Sequence, residues 1–354
     1  MAFERDSNKI VIAGASSLLG AELKSLLEES KFAGWDLHLV DEEVAAGTLT
    51  EAGGEPAVIR PVEEDSFQGA RMVFFTGSTD FSRMYIGGLQ ATGTKVFDLS
   101  GGMVGQTGAR ALFPMFIDLS KGIIEQEGSL AWFPRLDSML GREFSKDAAR
   151  FLIPSAAATA AAGLTLALAK IGLLKLSVTC FLSVSEAGRV GIEELESQTG
   201  QLLSFQSVGQ PVFDTQVAFN LLDRFGPASR QKLGKMRERV RRETEACLGG
   251  KVAMPAIQVV HAPVFYGTVF SACAEFPAEV DAEKIVSACK DAGFVMTSPD
   301  EAGPSNVSAA GEKAIQLGNP EKDPSLPGAW WFWGAADNIR LPAANAVKLA
   351  EMAF

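Results

Sequence analysis

Residues 9–41 read KIVIAGASSLLGAELKSLLEESKFAGWDLHLVD. KIVIAGA is an apolar run of β type, ELKSLLEES carries its apolar residues at helical spacing, and WDLHLVD returns as a strand, so the stretch is a βαβ unit. Two further strands of the fully buried kind follow, RMVFFTG from Arg71 to Gly77 and KVFDLS from Lys95 to Ser100, each separated by helix-length segments. These predict an α/β chain that opens with a Rossmann-type, doubly wound parallel sheet over about the first 135 residues.

After Pro154 the texture changes. LSVTCFLSVSEA, AIQVVHAPVFYGTVFSACAEF and AWWFWGAA alternate or run apolar over long stretches, as long strands of a mixed, largely antiparallel sheet do. Two helices, GIEELESQTGQLL and RQKLGKMRERVRRETEACL, lie between them; the second sets Leu233, Met236, Val240 and Cys247 under a charged face. Thr297 to Gly328, rich in Pro, Ser, Asn and Gly, reads as loop, and AADNIRLPAANAVKLAEMAF ends in a helix from about Pro342. The expected divisions are 1–138 for the nucleotide-binding domain, 139–335 for an α+β second domain and 336–354 for the C-terminal helix. The apolar run 151–169 is broken by Pro154 and Ser155 and dominated by Ala, so it reads as a short strand and a buried helix, not a membrane span.

Composition narrows the function. Of 354 residues 47% are hydrophobic, enough for a large core, and 32 Lys plus Arg against 43 Asp plus Glu leave a formal charge of -11, the wrong sign for nucleic acid or an anionic membrane. Cys180, Cys247, Cys273 and Cys289 show no CxxC spacing and only His38 and His261 accompany them, so neither a zinc site nor a disulfide framework is indicated. MAFERDSNK has no apolar stretch of the secretory kind, which makes a reducing cytoplasm the expectation.

Chemistry is first expected at the turn Gly14, Ala15, Ser16, Ser17, Leu18, Leu19, Gly20. Backbone amides at a helix N-terminus, with glycines that allow close approach, suit a pyrophosphate. Ser17 stands where a middle glycine would, and its side chain narrows the approach. The second strand ends at Asp41, followed by Glu42 and Glu43. A carboxylate there accepts the adenosine ribose hydroxyls and repels a 2′-phosphate, so NAD is favoured over NADP.

GASSLLGAELKSLLE resembles the opening of aspartate-semialdehyde dehydrogenases, and SVSEAGRVGIEELESQ, HAPVFYGTVFSACAEF and DNIRLPAANAVKLAE resemble three downstream signatures of that family in the same order. The resemblance implies that the C-terminal helix packs back on the nucleotide domain and that the second domain carries substrate groups and a dimer interface. It also marks this chain as a divergent, Usg-like member. The family's nucleophilic cysteine, in an Asn-Cys-Thr-like turn, falls on Ala156 of PSAAAT, with Ser155 beside it as a helix N-cap. The family's histidine base falls on Thr268, its carboxylate-binding arginine on His261, and its phosphate arginine in a segment that offers only Gly101, Gly102 and Met103. The phosphate lysine is matched by Arg239, whose alternative reading, with Arg237, Arg241 and Arg242, is a solvated face.

The resulting expectation is a cytoplasmic homodimer with an NAD-binding domain that has lost the parent reaction and has no intact catalytic set. Its cofactor residues are the Gly14–Gly20 turn, Asp41, Gly77, Ser78, Gly188 and Asn338. Ser155, Glu186, Arg239 and His261 are the candidates for a substrate cleft, with Glu186, His261 and Asp337 as acid/base groups. Two alternatives stand beside it: an NAD-linked oxidoreductase acting on an aldehyde or oxo group with other catalytic residues, and a regulatory partner that heterodimerises with an active dehydrogenase.

Overall fold

The computed structural model describes residues 8–354 apart from 44–46, 53–54, 64, 92, 106–109, 112–148, 251, 278 and 299. The described residues form two compact units, one from the residues up to 111 with 149–154 and 342–354, the other from 155–341. The boundary expected between 138 and 139 lies outside the described residues.

In the first unit the strands are β1 (Lys9–Ala13), β2 (Asp36–Asp41), β3 (Leu49–Ala52), β4 (Glu55–Val58), β5 (Arg60–Pro61), β6 (Met72–Phe75), β7 (Lys95–Asp98), β8 (Arg110–Ala111) and β9 (Arg150–Leu152). Seven of them form one sheet in the order β5-β2-β1-β6-β7-β9-β8, every pair parallel. β3 and β4 make a separate antiparallel hairpin. Both sheet faces are apolar because successive side chains of each strand point to opposite sides and both sets are buried. Val11, Ala13, Val73, Phe75 and Val96 pack with Phe81 and Ile86 of α2 (Thr79–Ile86). Phe74, Phe97 and Phe151 stack across β6, β7 and β9 with centroids 4.8 and 4.9 Å apart. That row is why β9, although late in the chain, belongs to the first sheet.

The chain leaves β1 for β2 on one side and returns to β6 on the other. The carboxyl end of β1 is therefore the topological switch point, where open α/β sheets bind their ligands. α1 (Leu18–Glu28) starts there and buries Leu23, Leu26 and Leu27. The last helix, α7 (Arg340–Ala353), begins two residues before Pro342, because Asp337 Oδ1 accepts from the amides of Ile339 and Arg340, both at 2.8 Å. Its end sits in the first unit, with Lys31 Nζ donating to the Glu351 carbonyl and the Arg71 guanidinium 5.0 Å from the Phe354 ring.

The second unit holds β10 (Lys175–Leu182), β11 (Ala256–His261), β12 (Thr268–Glu275), β13 (Val295–Met296), β14 (Gln316–Leu317), β15 (Glu321–Lys322) and β16 (Ala329–Ala336). The sheet order is β11-β10-β12-β16-β14-β13, with β15 beside β16. β10/β11 and β13/β14 are parallel and the other pairs antiparallel. The apolar run from Ala256 to Phe276 is two strands broken at Ala262–Gly267, and the expected loop 297–328 carries β14 and β15. Two-residue strands have no period to read, so only their partner β16 reveals them.

α3 (Ala156–Ala169) is buried from Ala156 to Leu168 and packs on α5 (Leu233–Leu248) and α6 (Ala282–Asp291), its alanines letting the helices approach closely. α4 (Arg189–Leu203) completes the unit's helices among the described residues. Among those residues no helix is long and apolar enough to cross a membrane, and no cluster of three His, Cys, Asp or Glu could hold a metal.

Candidate functional site

The first unit builds its site at the β1–α1 turn. Gly14 adopts φ +93°, and a Cβ there would lie 2.1 Å from the Gly77 amide nitrogen, so the turn after β1 presses directly on the turn after β6. A Cβ on Gly20 would meet the Gly14 carbonyl oxygen at 2.6 Å. Ser17 is the N-cap of α1, its Oγ accepting from the Gly20 amide at 2.9 Å. The Gly14 and Ala15 amides go to the Val40 carbonyl and the Ser16 amide to Asp41 Oδ2 at 2.8 Å. The Leu18 and Leu19 amides, the first two of the helix, have no acceptor among the described residues. A tight backbone cradle with two free amides at a helix N-terminus fits the pyrophosphate of a dinucleotide.

The acidic end of β2 lies beside this turn. Asp41 is 5% exposed, and its Oδ1 accepts from the Glu42 amide at 2.8 Å. Glu42 is exposed, and its Oε1 accepts from the Ser78 hydroxyl at 3.2 Å. Ser78 Oγ in turn caps α2 by accepting from the Phe81 amide at 3.1 Å. After β7, buried Asp98 gathers the amides of Ser100 and Met103 and the Ser100 hydroxyl, closing the turn at Gly101, Gly102 and Met103, and Arg83 of α2 reaches that turn with Nε donating to the Gly102 carbonyl at 3.4 Å.

The second unit's polar residues form two knots. Ser155, the N-cap of α3, donates its hydroxyl to Glu243 Oε2 at 2.6 Å and its amide to the same oxygen at 2.8 Å, while Oγ accepts from the Ala158 amide. Arg239 Nε donates to Glu243 Oε1 at 2.7 Å; the Glu243 side chain is 0% exposed and that of Arg239 37%. Ala156, next to Ser155, presents a buried methyl.

In the other knot Asn338 Oδ1 accepts from the Gly267 amide at 2.7 Å, and Nδ2 donates to Ser185 Oγ at 2.9 Å and Glu186 Oε1 at 3.1 Å. Burial raises the Glu186 carboxyl above the usual range; Arg239 and the Asn338 bond pull the other way and Glu243 adds to the rise. Glu186 and the Arg239–Glu243 pair are therefore within electrostatic reach of one another. Gly188 closes this turn at φ +73° and opens α4. Thr268, following Gly267, is buried with no hydrogen-bond partner for its hydroxyl among the described residues.

His261 does not join either knot. It lies buried between Phe213 and Phe225, its Nε2 3.3 Å from the Val217 carbonyl, and burial lowers its pKa, so it holds no cation. Asp337 is spent on capping α7 and on the Gly311 amide. Arg237, Arg241 and Arg242 point to solvent-side partners, Gln258 and Glu238. Glu243 is the residue that sequence reasoning missed, although a signal existed: it falls on the apolar stripe of α5 between Val240 and Cys247, where a carboxylate needs a buried partner.

A family model described as "Semialdehyde dehydrogenase, NAD binding domain" matches residues 9–109, and one described as "Semialdehyde dehydrogenase, dimerisation domain" matches residues 164–341. The chain is 29% identical to the USG-1 protein homolog of Pseudomonas aeruginosa, covering 97% of this chain and 96% of that protein. It is 24% identical to the aspartate-semialdehyde dehydrogenase of Shewanella violacea, again over 97% and 96%. A solved structure of a probable aspartate-semialdehyde dehydrogenase from Pseudomonas aeruginosa superposes with a TM-score of 0.80 at 25% identity, over 98% of each chain.

Proposed function

We propose, from the premise that this chain belongs to the semialdehyde dehydrogenase family, that it keeps a dinucleotide site and a dimer but has lost the parent reaction. The observation that carries the loss is the start of α3. The group at the helix N-terminus is the Ala156 methyl, and the neighbouring Ser155 hydroxyl is already bonded to Glu243. Covalent chemistry of the family's kind needs a thiolate at that point and a base to serve it. Thr268 supplies no base and the buried His261 no charge, although Arg83 does reach the Gly102 carbonyl of the Asp98 turn. Losing the nucleophile alone forfeits a barrier reduction on the order of several kcal/mol.

The dinucleotide reading rests on the cradle at Gly14, Gly20 and Gly77 and on the free amides of Leu18 and Leu19. The acidic end of β2 makes NAD the preferred form. Such a group, when bound, supplies hydride transfer; this chain's own part is to seat its pyrophosphate. The four cysteines are all unpaired, in keeping with the cytoplasm where we place the protein. A second reading, an NAD-linked oxidoreductase of different chemistry, is favoured by one observation: burial keeps the Glu186 carboxyl protonated to higher pH than usual, which suits a proton donor.

The experiment is phosphate-dependent oxidation of aspartate semialdehyde with NAD and with NADP. No turnover is expected. Turnover within about tenfold of an active family enzyme, a barrier difference of only about 1.4 kcal/mol, overturns the reading.

A further inference from the structure

The sequence points to Asp41 as the ribose carboxylate, because it ends β2. We infer instead that Glu42 reads the adenosine ribose of the dinucleotide and that Asp41 is a clamp on the phosphate turn. This rests on the dinucleotide reading above and goes one step into its specificity.

Asp41 is almost wholly buried, and each of its oxygens is already taken by a backbone amide, Oδ2 by Ser16 and Oδ1 by Glu42, both at 2.8 Å. The Ser16 bond ties the end of β2 to the β1–α1 turn, while the Glu42 bond folds the carboxylate back on its own next residue. Each oxygen keeps a second lone pair, but at 5% exposure Asp41 offers those lone pairs no open face to a ribose diol. Glu42 is one residue on and exposed. Its carboxylate accepts from the Ser78 hydroxyl, whose oxygen in turn accepts from the Phe81 amide.

β2 and β6 lie on opposite sides of β1, so a bond between the residues following them runs across the carboxyl end of β1, beside the Gly14–Gly20 turn. A free ribose presents two vicinal hydroxyls, which one carboxylate accepts together. A 2′-phosphate brings like charge to the same place. The ligand class is thus an adenine dinucleotide with an unesterified ribose.

The test is calorimetric titration of NAD and of NADP into the full-length protein and into Glu42→Gln and Asp41→Asn, with thermal melts of each. For the wild type, NAD is expected to bind more tightly. Glu42→Gln is expected to cut the NAD-over-NADP ratio at least tenfold with an unchanged melting temperature. Asp41→Asn is expected to weaken both ligands alike and to lower the melting temperature, or to fail to fold, which is the outcome of losing a clamp. AMP against 2′,5′-ADP as competitors should reproduce the same ratios, since the discrimination lies in the adenosine half. If NAD binds and Glu42→Gln leaves the ratio unchanged, the assignment of Glu42 falls while the dinucleotide reading stands. If the wild type binds neither ligand, both fall.

Discussion

Glu186 illustrates how one side chain's surroundings decide its chemistry. Its carboxyl is raised chiefly by burial, with Arg239 and Asn338 only partly offsetting the cost. Below the usual carboxylate range the group is protonated in both folded and unfolded chains. As pH climbs through its raised folded-state value, the unfolded chain has already released its proton and the folded state gives it up at a cost, so this group's contribution to stability is lost with rising pH. Glu186→Gln keeps an oxygen for Asn338 and removes the titration. Urea midpoints of the wild type should fall between pH 4 and pH 8 by more than those of the variant; parallel changes would assign the slope elsewhere, with Glu194, also raised by burial, the next group to examine. His261, by contrast, was legible only as an imidazole at a family position. That it sits neutral between two phenylalanines follows from packing, not from its neighbours in sequence.

At the scale of the element, the start of α3 is set by a residue on another helix. Ser155 and Glu243 are 88 positions apart, yet the carboxylate takes both the hydroxyl and the amide of Ser155. Ser155→Ala removes a cap and should cost about 1 kcal/mol. Glu243→Ala strips the same helix end of its anchor and removes the carboxylate from Arg239, whose side chain is 37% exposed; about 2–3 kcal/mol is expected. Urea denaturation of the two variants measures the difference, and equal losses would show that the carboxylate is not the anchor. The helix itself was readable: an Ala-rich run after Pro154 opened by serine. What opposes its first turn was not, because a carboxylate in RVRRETEACL reads like any other charge on a basic helix until the stripe it sits on is known to be buried.

For the whole molecule, one face of the second unit's sheet carries partly exposed aromatic side chains. Trp331 and Trp333 are 44% and 45% exposed on β16, with Phe181 of β10 6.1 Å from the Trp333 ring. Large aromatics in a row on a sheet face are unusual on a free surface. The chain also matches the family's dimerisation domain, and the outcome expected of a homodimer over this face is a buried area of more than roughly 2,000 Å² in total. Light scattering at low micromolar concentration should report twice the chain mass for the wild type and the chain mass for a Trp331→Asp, Trp333→Asp double variant. A melting temperature of the wild type that does not move on dilution would argue that the face is covered in another way.

The sequence alone determined the two kinds of sheet, the glycine turn and its acidic neighbour strand, and the order of the family signatures. These depend on period, on turn chemistry and on short stretches of contiguous residues, all of which are local. Only the tertiary structure decided which groups are spoken for. Asp41 is buried and bonded because the β1–α1 turn lands on it; Glu42, next in the chain, is exposed and meets Ser78 from beyond β6. Glu243 is a helix anchor because α5 lies against α3. A hydrogen bond consumes a lone pair at one point in space, and no spacing along a single chain says which of two adjacent carboxylates will arrive there.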